Sequence, residues 1–77
     1  MNTIYSGQAG DFLDKQPVKK SERIKKAISA LPSGDVKKLK GIRNGYRLRI
    51  GDVRVLFEKD GTQIYIVKID NRGDVYK

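Results

Sequence analysis

The chain has 77 residues, enough for one small domain, 1–77, and for no second core. Seventeen Lys and Arg against nine Asp and Glu leave a formal charge of +8, so anionic partners are expected. With no Cys and no His, disulfides and thiolate or imidazole metal sites are excluded, and no metal or cofactor is expected.

The longest apolar run, Ile64 to Val67, is four residues, far too short to span a bilayer. Met1 to Ser6 lack a basic stretch followed by an apolar one, so a cytoplasmic domain without membrane association is expected. Charge is uneven. Residues 1–44 hold ten basic and four acidic side chains, and residues 45–77 hold seven and five.

Thr3 to Tyr5 is short and β-prone, a candidate edge strand. Ala9, Phe12 and Leu13 share a helical face, which predicts a first helix over about Gln8 to Lys15. Pro17 suits the first turn of a second helix, whose stripe is Ile24, Ala27, Ile28 and Leu31. Pro32 stops it. Lys19, Lys20, Lys25 and Lys26 cover the rest of that helix, and Lys37, Lys38 and Lys40 are expected on helix surfaces as well. Asp35 is expected to cap a further helical turn over Val36 to Lys40.

From Tyr46 the period becomes two. Tyr46, Leu48 and Ile50 alternate with Arg47 and Arg49, and Val53, Val55 and Phe57 alternate with Arg54, Leu56 and Glu58. Gly51-Asp52 and Asp60-Gly61 are turn signals. The last strand alternates Tyr65, Val67 and Ile69 with Ile64, Ile66 and Lys68, apolar on both faces over its first half. The expected class is α+β: a small antiparallel sheet of three to four strands, with an N-terminal helical hairpin on one face. Tyr46 and Tyr65 are expected in the core.

If helices cover Tyr46, Leu48, Val53 and Val55, the opposite face collects Arg47, Arg49, Arg54 and Lys68, with Arg72 just beyond. Only Glu58 and Asp70 oppose them there. Like charges side by side destabilise a sheet, which favours a phosphate-binding role, since the arginine fork grips phosphate in a bidentate manner. A solvated basic face is the plain alternative. Tyr76 lies in a polar tail where burial gives no reason for a phenol.

The residues Leu31-Pro32, Gly34-Asp35-Val36-Lys37-Lys38-Leu39-Lys40-Gly41, Tyr46-Arg47-Leu48-Arg49-Ile50-Gly51-Asp52 and Arg54-Val55 closely resemble the RelE branch of the RelE/ParE toxin superfamily. The ending Lys68-Ile69 followed by Asn71-Arg72-Gly73-Asp74-Val75-Tyr76 is similar to that family's C-terminal motif. The resemblance covers about residues 28–77. It implies a type II toxin–antitoxin toxin, an endoribonuclease that cuts mRNA in the ribosomal A site. The implied partners are a cognate antitoxin, the 70S ribosome and mRNA.

Carried over position by position, the resemblance places Arg47, Arg49, Arg54, Arg72 and Tyr76 in the catalytic set. Lys68, Asn71 and Lys40 are expected on the substrate. Many short relatives carry His where this chain has Asn71, so a weakened, antitoxin-binding relative is one alternative. A ParE-like gyrase inhibitor is another, and the clustered arginines with Tyr76 count against it.

Metal-free cleavage means attack by the 2′-OH, leaving a 2′,3′-cyclic phosphate. That step needs a base, charge stabilisation and an acid. Arg54 and Arg72 are assigned to the phosphorane, Arg47 and Arg49 to backbone neutralisation, and Tyr76 to the 2′-OH. Glu58 is the candidate base, though pairing with Arg54 or Arg49 is its more ordinary role. Lacking a well-tuned base, such a catalyst should depend on an external framework to orient its substrate.

Overall fold

A computed structural model describes residues 2–71. In chain order the elements are β1 (Asn2–Tyr5), α1 (Gly7–Asp14), α2 (Val18–Ser29), β2 (Asp35–Lys38), β3 (Gly45–Ile50), β4 (Val53–Asp60) and β5 (Gln63–Asn71). They form one five-stranded sheet, ordered β1-β5-β4-β3-β2, with the helices on one face. The class is α+β, as the alternation indicated. The sheet is larger and less uniform than expected: it has five strands, and β1 runs parallel to β5.

Most of the difference lies in β2. Asp35 to Lys38 is a strand paired with Arg49 to Tyr46, and not the helical turn expected over Val36 to Lys40. An isolated helical turn has an unfavourable nucleus, whereas four residues along β3 gain ladder hydrogen bonds at once. Lys37 and Lys38 therefore belong to the sheet, and Lys40 to the turn that follows it.

The helices form where the periodicity placed them. Ser6 caps α1, its hydroxyl accepting from the Ala9 N–H at 3.1 Å. Pro17 is the N-cap of α2, one position earlier than expected. Ala9, Leu13, Ile24, Ile28 and Leu31 are buried against Leu48, Val53, Val55, Phe57, Ile64, Ile66 and Ile69. Tyr46 stacks on Phe57, with ring centroids 5.4 Å apart.

Both hairpins after β3 have two-residue loops. Gly51 and Gly61 each take φ +59 at the first loop position, as a type II′ turn requires. The second turn is therefore Gly61-Thr62, with Asp60 the last residue of β4.

β5 contains a bulge. Phe57 opposes Ile66 while Leu56 opposes Lys68, so Val67 is the extra residue. The bulge changes the phase of the strand. Ile64 and Ile66 are buried before it and Ile69 after it, while Tyr65 and Val67 stay exposed, Tyr65 at 40%. Strict alternation instead grouped Ile69 with Tyr65, and expected Tyr65 in the core.

The bulged edge of β5 is completed by the residues that follow β1. The Ser6 N–H donates to Ile66 O at 2.9 Å, and the Ser6 hydroxyl donates to Val67 O at 2.6 Å. Gln8 then brackets Ile69: its Nε2 donates to Ile69 O at 2.8 Å, and its Oε1 accepts the Ile69 N–H at 2.9 Å. An amide side chain thus extends the ladder where β1 has ended. Gln8→Ala strands both backbone groups, and a loss of about 1–3 kcal/mol in urea unfolding is expected. Native-state hydrogen exchange should locate the loss at the Ile69 amide.

Candidate nucleic-acid interface

The face of the sheet away from the helices is organised in rows across the strands. One row reads Asp35, Arg49, Arg54, Asp70, and the next reads Lys37, Arg47, Leu56, Lys68. A third holds Gly45, Glu58, Tyr65 and Ile4. Strands lie about 4.8 Å apart and successive rows about 7 Å, so cations crowd the first two rows. A groove of about 560 Å³ opens over them, lined by Lys37, Lys38, Leu39, Lys40, Arg47, Arg49 and Arg54. Six of those seven residues are cationic.

Each guanidinium is held differently. Arg49 Nε donates to Asp35 Oδ2 at 2.7 Å, and Arg47 Nη2 lies 3.8 Å from Asp35 Oδ1. Arg54 Nη1 donates to Gly51 O at 3.1 Å. Gly51 is confined from the other side as well: a Cβ there would come within 2.9 Å of Arg23 Nη2 on α2. Gly51 thus sits with its carbonyl bonded to Arg54 and with Arg23 packed where a side chain would stand.

Arg47, Arg49 and Arg54, which the alternation placed on one face, line the groove together with Lys40. Lys68 sits half-buried opposite Leu56, one strand beyond Arg54. Glu58 shares the open face but lies four residues along β4 from Arg54, about 13 Å in extended chain, and outside the groove. Among the described residues it makes no ion pair, so the expected pairing with Arg54 or Arg49 is absent. Asn71 stands opposite Val53, the register of the helix-covered face, away from Arg54. Arg72 and Tyr76 lie outside the described residues.

Two features escaped the sequence reading. Lys37 and Lys38 line the groove from the unexpected strand β2. Asp35, expected as a helix cap, is the carboxylate that neutralises Arg49 and Arg47, so Glu58 and Asp70 are not the only acids on this face. Asp70 ends the same row, yet its Oδ1 accepts the Asn71 N–H at 2.8 Å and it forms no ion pair with Arg54. The cue for β2 was the pair of breaks at Gly34 and Gly41, both at positive φ, which leave too short a segment for a helix.

The fold and groove together define a small two-layer α+β domain with a cationic open sheet face. No protein-family model matches the chain. Toxin RelE3 of Methanocaldococcus jannaschii is 38% identical over 42 residues, which span 54% of this chain and 48% of that protein. The aligned stretch is thus about half the length of that curated relative. Among solved structures, the archaeal RelE–RelB complex from Pyrococcus horikoshii superposes with TM-score 0.79 at 26% identity, over 95% of this chain and 96% of that one. The RelB–RelE antitoxin–toxin complex from Methanococcus jannaschii gives TM-score 0.77 at 26% identity, over 95% and 94%. The chain is thus similar in sequence over its matched stretch, and in fold over nearly its whole length, to RelE toxins.

A concentration of like charge on one face weakens the fold at low ionic strength. Raising salt from about 0.01 M to about 0.15 M shortens the screening length from ~30 Å to ~8 Å. The melting temperature should rise over that range, as read by circular dichroism. A fall would show that attractive pairs outweigh the crowding.

Proposed function

We propose that this chain is the toxin of a type II toxin–antitoxin system, an endoribonuclease that cleaves mRNA in the ribosomal A site and is neutralised by a cognate antitoxin. The single observation that carries the reading is the groove on the open sheet face, where Arg47, Arg49 and Arg54 stand beside Lys37, Lys38 and Lys40. Guanidinium forks at strand-pair spacing suit a phosphodiester backbone, and cations held where charge develops stabilise a pentavalent phosphorane more than its ground state.

In this reading the 2′-OH attacks the adjacent phosphorus, the P–O5′ bond breaks, and a 2′,3′-cyclic phosphate and a 5′-OH result. Arg54, with Arg72 from the tail, stabilises the phosphorane. Arg47 and Arg49 neutralise the flanking backbone, with Lys40 and Lys68 extending the cationic track, whereas Asn71, in the register of the other face, takes no part in it. Tyr76 orients the 2′-OH. Among the described residues no carboxylate lines the groove. Glu58 would need substrate or ribosome between it and Arg54 to serve as base. Rate therefore depends on the in-line geometry that the ribosome imposes on mRNA, a contribution of several kcal/mol.

Primer extension on programmed ribosomes tests the reading. Cuts at the A-site codon are expected from the purified protein, and Arg54→Ala should slow them by about 10²–10³-fold. Uncut mRNA together with inhibited gyrase supercoiling would favour a ParE-like toxin instead. Binding of a single-stranded oligoribonucleotide gives an independent check. Six phosphate contacts imply a slope of about −4 for log K against log salt, and Arg47→Ala should reduce its magnitude by about 0.7.

A further inference from the structure

The row Asp35–Arg49–Arg54–Asp70 looks symmetric by register, but among the described residues only Asp35 engages an arginine. We propose that Asp35 is a positioning residue for the phosphate site: it anchors Arg49 through Nε and so turns the Nη edge of that guanidinium toward the groove. The inference deepens the ribonuclease reading and rests on it for the identity of the polyanion.

The choice of atom carries the argument. Asp35 Oδ2 takes Arg49 Nε at 2.7 Å, a charge-assisted bond. The same carboxylate lies 3.8 Å from Arg47 Nη2, beyond hydrogen-bond reach and within Coulomb range. The distal Nη edge offers a phosphate two parallel donors. Asp35 leaves that edge unoccupied by any bond among the described residues.

Stability does not account for the pair. Asp35 and Arg49 side chains are 47% and 53% exposed, and ion pairs so well solvated contribute little. Geometry does account for it. Arg49 lies two residues from Arg47 on the same face and directly opposite Arg54, so without an anchor its long side chain would swing outward from both. Arg47, with its side chain only 13% exposed, has far less room to swing. Arg49 is therefore the member of the cluster that needs a tether, and β2 supplies it at the register position opposite.

The test uses the full-length 15N-labelled protein and a 2′-O-methyl oligouridylate, which cannot be cleaved. The Arg49 Nε–H resonance should be protected from exchange in the free protein, stay protected at saturating oligonucleotide, and be lost in Asp35→Ala. On programmed ribosomes Asp35→Ala should lower kcat by about 10- to 100-fold at nearly unchanged KM. Asp35→Glu should recover part of it, and both variants should keep the wild-type circular dichroism spectrum. Loss of Nε–H protection when the oligonucleotide binds would mean that phosphate displaces the carboxylate, and would overturn the proposal. An unchanged or raised kcat in Asp35→Ala would overturn it too. If wild-type protein leaves mRNA uncut, the ribonuclease reading fails, while the Arg49 resonance still decides whether the anchor holds.

Discussion

Two arginines, Arg49 and Arg54, stand directly opposite each other on adjacent strands, and the rest of the molecule is arranged so that they can stay there. Side by side on a sheet, like charges are worth up to about 1 kcal/mol of destabilisation. A slip of one residue between β3 and β4 would relieve them, but it would also turn Leu48, Val53 and Val55 out to water. Those side chains are essentially fully buried, each contributing about 1.5–3 kcal/mol by burial. The helix-covered face therefore fixes the register, and the open face carries the consequence. Gly51 pins the same register at the turn, its carbonyl bonded to Arg54.

The far edge of the sheet solves a related problem. β1 is only four residues long and ends before the bulge of β5, so the strand that carries Lys68 and Asp70 would have an open edge beside them. Ser6 and Gln8 close it from the first turn of α1. Because their partners are backbone groups of Ile66, Val67 and Ile69, the helix layer is tied to the part of β5 that faces Leu56 and Arg54. Helix and cationic groove are thus coupled through the sheet, although they lie on opposite faces of it.

The legible parts were those with a local period. The alternation of Tyr46 to Ile50 and of Val53 to Phe57 was enough to place Arg47, Arg49 and Arg54 together on the face without helices. The stripe of Ile24, Ala27, Ile28 and Leu31 likewise marked the buried side of α2. What escaped was decided by distant partners. Asp35 to Lys38 has no period of its own and becomes a strand only because β3 offers a free edge. Asp35 consequently changes from a helix cap to the acid between two arginines. The bulge at Val67 was hidden because Ile64 to Ile69 is apolar at nearly every position, and only pairing with β4 selects which members turn inward. Gln8 reads as an ordinary helix residue until Ile69, sixty-one positions later, arrives beside it.

In the proposed function, RNA phosphates lie over β2, β3 and β4, along the cationic groove. The competing surface is α2, where Lys19, Lys25 and Lys26 are exposed on the other side of the sheet. Backbone amide shifts recorded while an uncleavable oligoribonucleotide is titrated in would separate the two most directly. Perturbations concentrated at Lys37, Lys40, Arg47, Arg49 and Arg54, with α2 little changed, are the expected result. Perturbations centred on α2 that leave those five amides in place would contradict the claim.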